Sequence, residues 1–568
     1  MRLASSRVKT GTALLGGFIC LLLFFTQGVF FIHANSETYD EAVHLTAGYS
    51  YLARRDFRLE PQNPPLIKEF LALPLFWGYR LPFSPDPQQW RDGAAYHIGQ
   101  DFLYQSTLPA PQMFAVSRAF NLLLGTALVA VTGWWACRLW GRRAAILAMT
   151  LACFEPNLVA HSSLVTTDTG ATLLMFLSVY LAWEYLRAPR WWLLGATGVC
   201  TGMALVAKYS AMILLPLMAL IIVLSFVIQR NAPLLPALQG SRSQPRCRLL
   251  EAGAAFFLIA FFASLAIPAA YCFQGFEPWV SGFVRFMTLA REGQPSFFLG
   301  EHSYQGWWSY YPVAFLLKTP VGSLVLIAAS MVFCRAGSPL GRREAVFLLM
   351  PVAMVIAVVT QAKVNIGLRH VLAVYPFLLV LASRVATIRF RRRWLGHCVV
   401  GVPVILTAVS SLRIAPHQLA YFNEIAGGPE QGYRYLGDSN LDWGQDLGGV
   451  KAYMERENLP IIYLSYFGVA PPSYYGIRYQ YVPGSWPLEW PPPADRVPAE
   501  ARRKMLAISV HNLQDVSSAY DRLFDWLWQR NPVAKIGYSI FVYDLTDDRE
   551  GLMKIEETYV KAGIGSGP

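Results

Sequence analysis

Residues 34–70 read ANSETYDEAVHLTAGYSYLARRDFRLEPQNPPLIKEF. An apolar run over residues 11–32 precedes them, and within the stretch an Asp-Glu pair is followed by clustered arginines and a Pro-Pro step. Two readings fit the acids. Thr38 followed three residues later by Glu41 matches a capping box, and Asp40 suits the positive end of a helix, so the pair can simply open that helix. Alternatively, Asp40 is a base held at a membrane surface. The position directly after a first membrane crossing favours the second.

The wider chain supplies that membrane. Of 568 residues 54% are hydrophobic and only 15% charged, and the mean hydropathy is positive, which describes an integral membrane protein. The net charge of +12 does not point to nucleic acid, because the basic residues sit in short clusters between apolar runs, where they set topology. All eight cysteines fall at or before Cys398 with no CxxC or metal-type spacing, so the last part of the chain has no disulfide framework or Cys-based zinc site.

The run at 11–32 follows Arg2, Arg7 and Lys9 without a small-x-small cleavage site and is read as a retained helix. Further spans are expected near 115–137, 144–164, 168–186, 191–208, 211–228, 250–271, 313–334, 345–362, 368–388 and 395–412, about eleven crossings in all. The N-terminus and segments 138–143, 187–190, 229–248, 335–343 and 384–393 then face the cytoplasm and carry 20 Lys or Arg residues. The loops 33–113 and 272–312 and everything after about residue 413 lie outside it. The expected fold is an α-helical polytopic membrane domain over 1–412 followed by a small extracytoplasmic α/β domain over 413–568. Short helices at Glu41–Phe57 and Pro64–Phe76 are expected along the membrane interface. Beyond 413, helices at 443–456 and 518–529, strands at 461–467, 504–510 and 536–544 and an irregular loop over 470–500 are expected.

Here the chain resembles the polytopic glycosyltransferases of the GT-C fold, in particular family 39, the protein O-mannosyltransferases and aminoarabinose transferases. TYDEAVH resembles that family's acidic motif in the first external loop, and NPPLIKEF its Pro-Pro-Leu motif. Lys68 stands where the mannosyltransferases carry a lysine, whereas the aminoarabinose transferases place theirs just before the prolines, where this chain has Asn63. HSSLVTTDTGATLLMFLSVYLAW, with Asp168, resembles a later external turn; GMALVAKYSAMILLPL carries Lys208. NIGLRHVLAVYPFLLVLAS resembles the Arg-(Tyr/His)-x-x-x-x-Tyr-Pro element, with Arg369, His370 and Tyr375. FLGEHSYQGWWSYYPVAFLLKTPVGSL and YFNEIAGGPEQGYRYLGDSNLDWGQDL resemble a prokaryotic branch of the family.

The resemblance implies transfer of a sugar from a polyprenyl phosphate to an acceptor hydroxyl of a protein, lipid or glycan, usually with inversion. A hydroxyl needs a base, for which Asp40 is the candidate, with Glu41 orienting the site or capping its helix. The leaving phosphate needs positive charge, for which Lys68, Lys208, Lys318, Arg369 and His370 are candidates, although interfacial anchors would share their placement. His44, Asp168, His302, Tyr304 and Tyr375 are candidates for substrate contacts. Asp168 could equally cap its helix, and the aromatics around His302 could equally form an interfacial belt. Glu155-Pro156 is expected to break its span, with the acid facing either a polar cavity or the bundle interior. DSNLDWGQDL places Asp438, Asn440 and Asp442 at calcium-loop positions, but Trp443 and Gly449 occupy the places of the loop's Gly and Glu. A turn whose side chains bond the local backbone and cap the following helix is expected instead.

No cofactor is required by this chemistry, no protein-only metal site is expected, and a divalent cation between phosphate and carboxylates is compatible with it. No Asn-x-Ser/Thr sequon occurs, which leans towards a bacterial inner membrane. A transporter or lipid flippase is the rival class, against which stand the gathering of charges at one membrane face and the expectation of no broken-helix pair repeated between two halves. A non-catalytic scaffold is the other rival.

Overall fold

The computed structural model describes residues 2–228, 234–236, 245–333, 340–389, 391–484, 495–516 and 522–562. Helices dominate it, as expected of a polytopic membrane protein. Five of them are long and apolar enough to cross a bilayer: Ala13–Ala34, Ala110–Trp140, Asp168–Arg187, Leu249–Ala270 and Trp394–Ile414. Two more spans are broken, Arg142–Cys153 with Pro156–Ser162 bent by 65° and Tyr310–Lys318 with Val321–Val332 bent by 111°. Pro156 and Pro320 stand at the two breaks, where each lacks the N–H that would continue the ladder. Glu155-Pro156 does interrupt its span. The other apolar stretches form shorter helices such as Trp191–Leu205 and Val374–Ser383, so by length and composition the described residues hold five spans, or up to seven if each bent pair is one.

Small residues set the closest approaches. Gly198 and Gly202 lie one turn apart on Trp191–Leu205, and a Cβ on either would collide with the helix ending at Ala270, at Ile259 and Ala263 respectively. This is the small-xxx-small packing of membrane helices.

The first helix, α1 (Arg2–Ala34), packs on Ala110–Trp140 and Arg142–Cys153. Four residues separate it from α2 (Tyr39–Arg54), whose start is fixed by the expected capping box of Thr38 and Glu41. Pro65 then opens α3 (Pro65–Leu73) at the first helical position, where its missing N–H costs nothing. The two helices cross where Gly48 meets the Lys68 carbonyl, a contact that any Cβ would block. Protein surrounds the first of them. Every residue from Glu41 to Tyr51 is buried, because α2 is enclosed by α3, by Ala95–Tyr104 and by the loop before Asp168.

The last part of the chain carries a five-stranded sheet, preceded by a short antiparallel ribbon of β1 (Ser296–Phe298) and β2 (Glu301–Ser303). The sheet contains β3 (Ile462–Ser465), β4 (Tyr479–Tyr481), β5 (Met505–Ser509), β6 (Ala534–Ile536) and β7 (Ile540–Asp544), in the order β4-β3-β5-β7-β6. β3 runs parallel to β4 and β5, and β7 antiparallel to β5 and β6. The three expected strands are present, and β4 and β6 add to them. Alternation explains the buried strands: Ile462, Leu464, Ala507 and Val542 pack on Leu447–Arg456, whereas Tyr463, Leu506, Ile508 and Phe541 join the apolar cluster that continues into the bundle. Where a helix was expected at 518–529, a 3-10 turn covers Asp525–Gln529, and residues 517–521 lie outside the described residues. Part of the expected loop at 470–500 also lies outside them.

This sheet unit sits at the membrane face where α1 ends. Asn35 donates to the Pro416 carbonyl at 3.0 Å, just past the end of Arg393–Ile414, so both helices finish at one face. Ser36 N–H donates to Gln445 O and Tyr39 N–H to Trp443 O, each at 2.8 Å.

Candidate active site

The turn from α1 into α2 is held by Arg118, on Ala110–Trp140. Its guanidinium donates to the carbonyls of Asn35 and Ser36, both at 2.8 Å, satisfying acceptors at the negative end of α1. The same group grips Glu41 through Nε to Oε1 at 2.8 Å and Nη2 to Oε2 at 2.6 Å. Glu41 also accepts from Thr38 N–H at 2.8 Å and Val165 N–H at 2.6 Å and is completely buried. Its oxygens are fully engaged, so Glu41 orients the turn and has no lone pair left for a catalytic role.

Asp40 is different. Its side chain keeps 23% exposure, its Oδ2 accepts from Arg369 Nη1 at 2.6 Å, and Oδ1 has no hydrogen bond among the described residues. Arg369 is the second residue of the 3-10 turn Leu368–Val371, and its guanidinium carbon lies 4.2 Å from the Trp443 ring centroid. Its Nε is buried and has no partner among the described residues. Behind this pair Lys208 and Asp168 form an ion pair, and Arg369 and His161 are near enough to act on the Asp168 charge. Lys208 spends one N–H on that pair and makes no other hydrogen bond among the described residues. His370 Nε2 and His161 Nδ1 are buried without a partner among the described residues.

The remaining candidates are placed elsewhere. Lys68 is fully buried and its ammonium is used up by the Tyr51 hydroxyl at 2.9 Å, Glu60 O at 3.1 Å and Glu60 Oε2 at 3.3 Å. It therefore has no free donor for a phosphate. His44 belongs to the same group: Nε2 is 3.0 Å from Glu60 Oε1 and Nδ1 is 3.1 Å from the Val165 carbonyl. Both ring nitrogens face acceptors, which requires the doubly protonated ring. Burial works against that charge, but Glu60 more than offsets it and raises His44 above its ordinary value. Burial also works to raise Glu60, yet His44 and Lys68 pull it down to about 2. Glu41 and His44 thus hold the N–H and C=O of Val165, fixing the loop that delivers Asp168. His44 contacts protein groups, not an open site.

Lys318 is 1% exposed, donates to the carbonyls of Leu419, at 2.9 Å, and Asn440, near the Phe422 ring, and ties the second broken span to the C-terminal unit. Tyr375 is fully buried between Thr319, 2.9 Å away, and Asn157. His302, on β2, lies 2.6 Å from the Gln514 carbonyl, and Tyr304 is 39% exposed just beyond the ribbon. No contact links these three with Asp40.

Arg118, Glu60, His161, Trp443 and Asp438 were not assigned to the site from sequence. The turn at 438–443 does bond its local backbone, with Ser439 N–H on Asp438 at 2.6 Å and Gly444 N–H on Asp442 at 3.2 Å. It does not cap the next helix, Leu447–Arg456, whose N-cap is Asp446. Asp438 sits close to Arg369 and Asp40; burial pushes it up to about 6 against the pull of Arg369, and Asp40 adds to the rise. Among the described residues no group of three or more His, Cys, Asp or Glu side chains is placed to hold a metal ion.

One carboxylate with a free oxygen beside two cations with spare donors can deprotonate a hydroxyl while neutralising a departing anion. Residues 17–280 match the family model described as dolichyl-phosphate-mannose-protein mannosyltransferase. That part of the chain is similar to this family. The match bears out the expected glycosyltransferase. No curated protein matches the chain. Among solved structures, ArnT from Cupriavidus metallidurans bound to undecaprenyl phosphate is similar with a TM-score of 0.47 and 13% identity, over 94% of this chain and 98% of that one. The Archaeoglobus fulgidus oligosaccharyltransferase tethered to an acceptor peptide gives 0.42 and 10%, over 78% and 57%.

Proposed function

We propose that the chain transfers a sugar from a polyprenyl-phosphate donor to a hydroxyl of an extracytoplasmic protein, lipid or glycan, inverting the anomeric carbon. The observation that carries this reading is the Asp40 carboxylate, with one oxygen on Arg369 and the other free. The acceptor hydroxyl gives its proton to Asp40 Oδ1 as its oxygen bonds to the anomeric carbon. The bond from that carbon to the phosphate oxygen breaks with its electron pair, and polyprenyl phosphate leaves. Arg369 and Lys208 take up the leaving group's charge, and such a positioned base is worth about 10²–10⁴ in rate. The donor reaches Asp40 from the outer leaflet of a bacterial inner membrane, and the C-terminal unit, on the same face, contributes to acceptor binding. The reaction as written needs no cofactor; if a divalent ion bridges phosphate and carboxylates, a chelator lowers the rate.

Broken spans are also a feature of transporters. Here the breaks are closed by side chains: Gln27 donates to Cys153 O at 3.0 Å at the first, and at the second Asn423 donates to Leu316 O at 2.6 Å and Thr319 O at 2.8 Å and Asn157 to Lys318 O at 2.7 Å. Such bonds favour a fixed scaffold over a moving gate.

The test uses the full chain in vesicles with a polyprenyl-phosphate hexose and an envelope extract as acceptor. Asp40→Asn should abolish transfer and keep donor binding. Undiminished transfer overturns the reading, and donor translocation without transfer supports the flippase instead.

A further inference from the structure

The donor phosphate competes with Asp40 for Arg369, whose Nη1 donates to Asp40 Oδ2 at 2.6 Å. Something must then keep Arg369 in the site. The turn at 437–443 is built onto the backbone beside Arg369: Ser439 Oγ donates to Ile366 O at 2.6 Å, Leu368 N–H donates to Asn440 Oδ1 at 3.0 Å, and Trp443 underlies the guanidinium. Asp438 begins that turn with its side chain 19% exposed and its Oδ2 3.9 Å from His511 Nδ1. Its charge acts on Arg369 without a direct ion pair.

The backbone supplies a second observation. Asp438 has φ of +52°, in the left-handed region that glycine occupies most readily. The turn itself uses one carboxylate oxygen, Oδ1, which accepts from Ser439 N–H at 2.6 Å. A carboxylate held in a turn that bonds residues 366 and 368 and stacks its Trp443 on Arg369 points to a use for its charge.

We propose that Asp438, supplied by the C-terminal unit, is a positioning residue of the transfer site that retains Arg369 on Trp443 when the donor phosphate displaces Asp40. This rests on the proposed function above. The C-terminal unit thereby completes the catalytic centre. The titratable groups around Asp438 are Arg369, Asp40, His511, Tyr39, Tyr310 and Tyr311.

Asp438→Asn is the variant of choice, since Asn tolerates the left-handed region and keeps the acceptor for Ser439 N–H. With the full chain in vesicles, D438N should unfold at the wild-type temperature yet show a donor KM raised by about tenfold, the scale of one charge at a partly buried site. Asp438→Glu should restore part of the affinity. A wild-type donor KM in D438N, or full activity in Asp438→Gly, overturns the proposal. If Asp40→Asn keeps its activity, the base assignment itself fails, whatever D438N shows.

Discussion

Asp40 and Arg369 stand 329 positions apart and meet through a 2.6 Å hydrogen-bonded ion pair, with the Arg369 guanidinium lying on the Trp443 ring. One side chain comes from the start of α2, one from the loop before Val374–Ser383, and the ring from the C-terminal unit. Three distant segments therefore define one charged centre.

Arg369→Ala removes the cation and leaves Asp40 without its partner. Transfer should fall by at least about a hundredfold, as for loss of one preorganised stabilising donor. Arg369→Lys keeps the charge but loses the planar stack on Trp443 and should recover only part of the rate. Initial rates in vesicles, compared at saturating donor, distinguish the two.

Glu41 and Arg118 form a buried pair that organises the α1–α2 turn. Removing one partner strands the other, which costs about 3–5 kcal/mol. Glu41→Gln should accordingly lower the unfolding temperature in detergent and the yield of folded protein. The double variant Glu41→Gln with Arg118→Met should lose less than the two single losses added together. Equal stability of E41Q and the parent chain would remove Glu41 from this structural role.

These two acids mark what the sequence reveals and what it leaves hidden. The spans followed from apolar runs, the helix start from Thr38 and Glu41, and three strands from alternating apolar residues, because each is a local or periodic signal. Asp40 and Arg369 stood out by lying in short motifs at the ends of spans. Thr38 marks Glu41 locally as the capping acid, but its full engagement comes from Arg118, 77 positions away. Lys68 looked like a phosphate ligand until Glu60 came to rest against it, and Lys318 until the carbonyls of Leu419 and Asn440 did. Asp438 and Trp443 read as part of a turn, and only the docking of that turn on residues 366–369 turns them towards the site.

Glu37 lies at the same seam, 2% exposed, accepting from the Tyr475 hydroxyl at 2.8 Å. Burial pushes its carboxyl up to about 7 from an ordinary 4.5, against the Tyr475 bond and the charge of Arg118. Between those values the folded chain holds a proton that the unfolded chain releases, so this group's stability contribution is complete below pH 4.5 and declines as pH rises towards 7. Glu37→Gln should flatten that decline, and thermal unfolding in detergent from pH 4 to 8 measures it. An unchanged slope in the variant would mean that Glu37 is not its source.

Lys68 and Lys208 offer the sharpest contrast, since sequence gives both the same role. Lys68 has every N–H committed to Tyr51 and Glu60 and is fully buried, whereas Lys208 makes no hydrogen bond beyond Asp168 among the described residues and is 15% exposed. Lys208→Met should raise the donor KM by about tenfold or more, through loss of a charge-assisted contact to phosphate worth about 1.5–3 kcal/mol. It also frees the Asp168 carboxylate, so Lys208→Arg, which keeps that pair, should retain more affinity. Lys68→Met leaves Glu60 facing His44 alone and should lower the unfolding temperature while the folded fraction binds donor as the parent chain does. Titration of a polyprenyl-phosphate sugar against each variant, normalised to folded protein, separates the roles. A raised donor KM in folded Lys68→Met would return that lysine to the phosphate site.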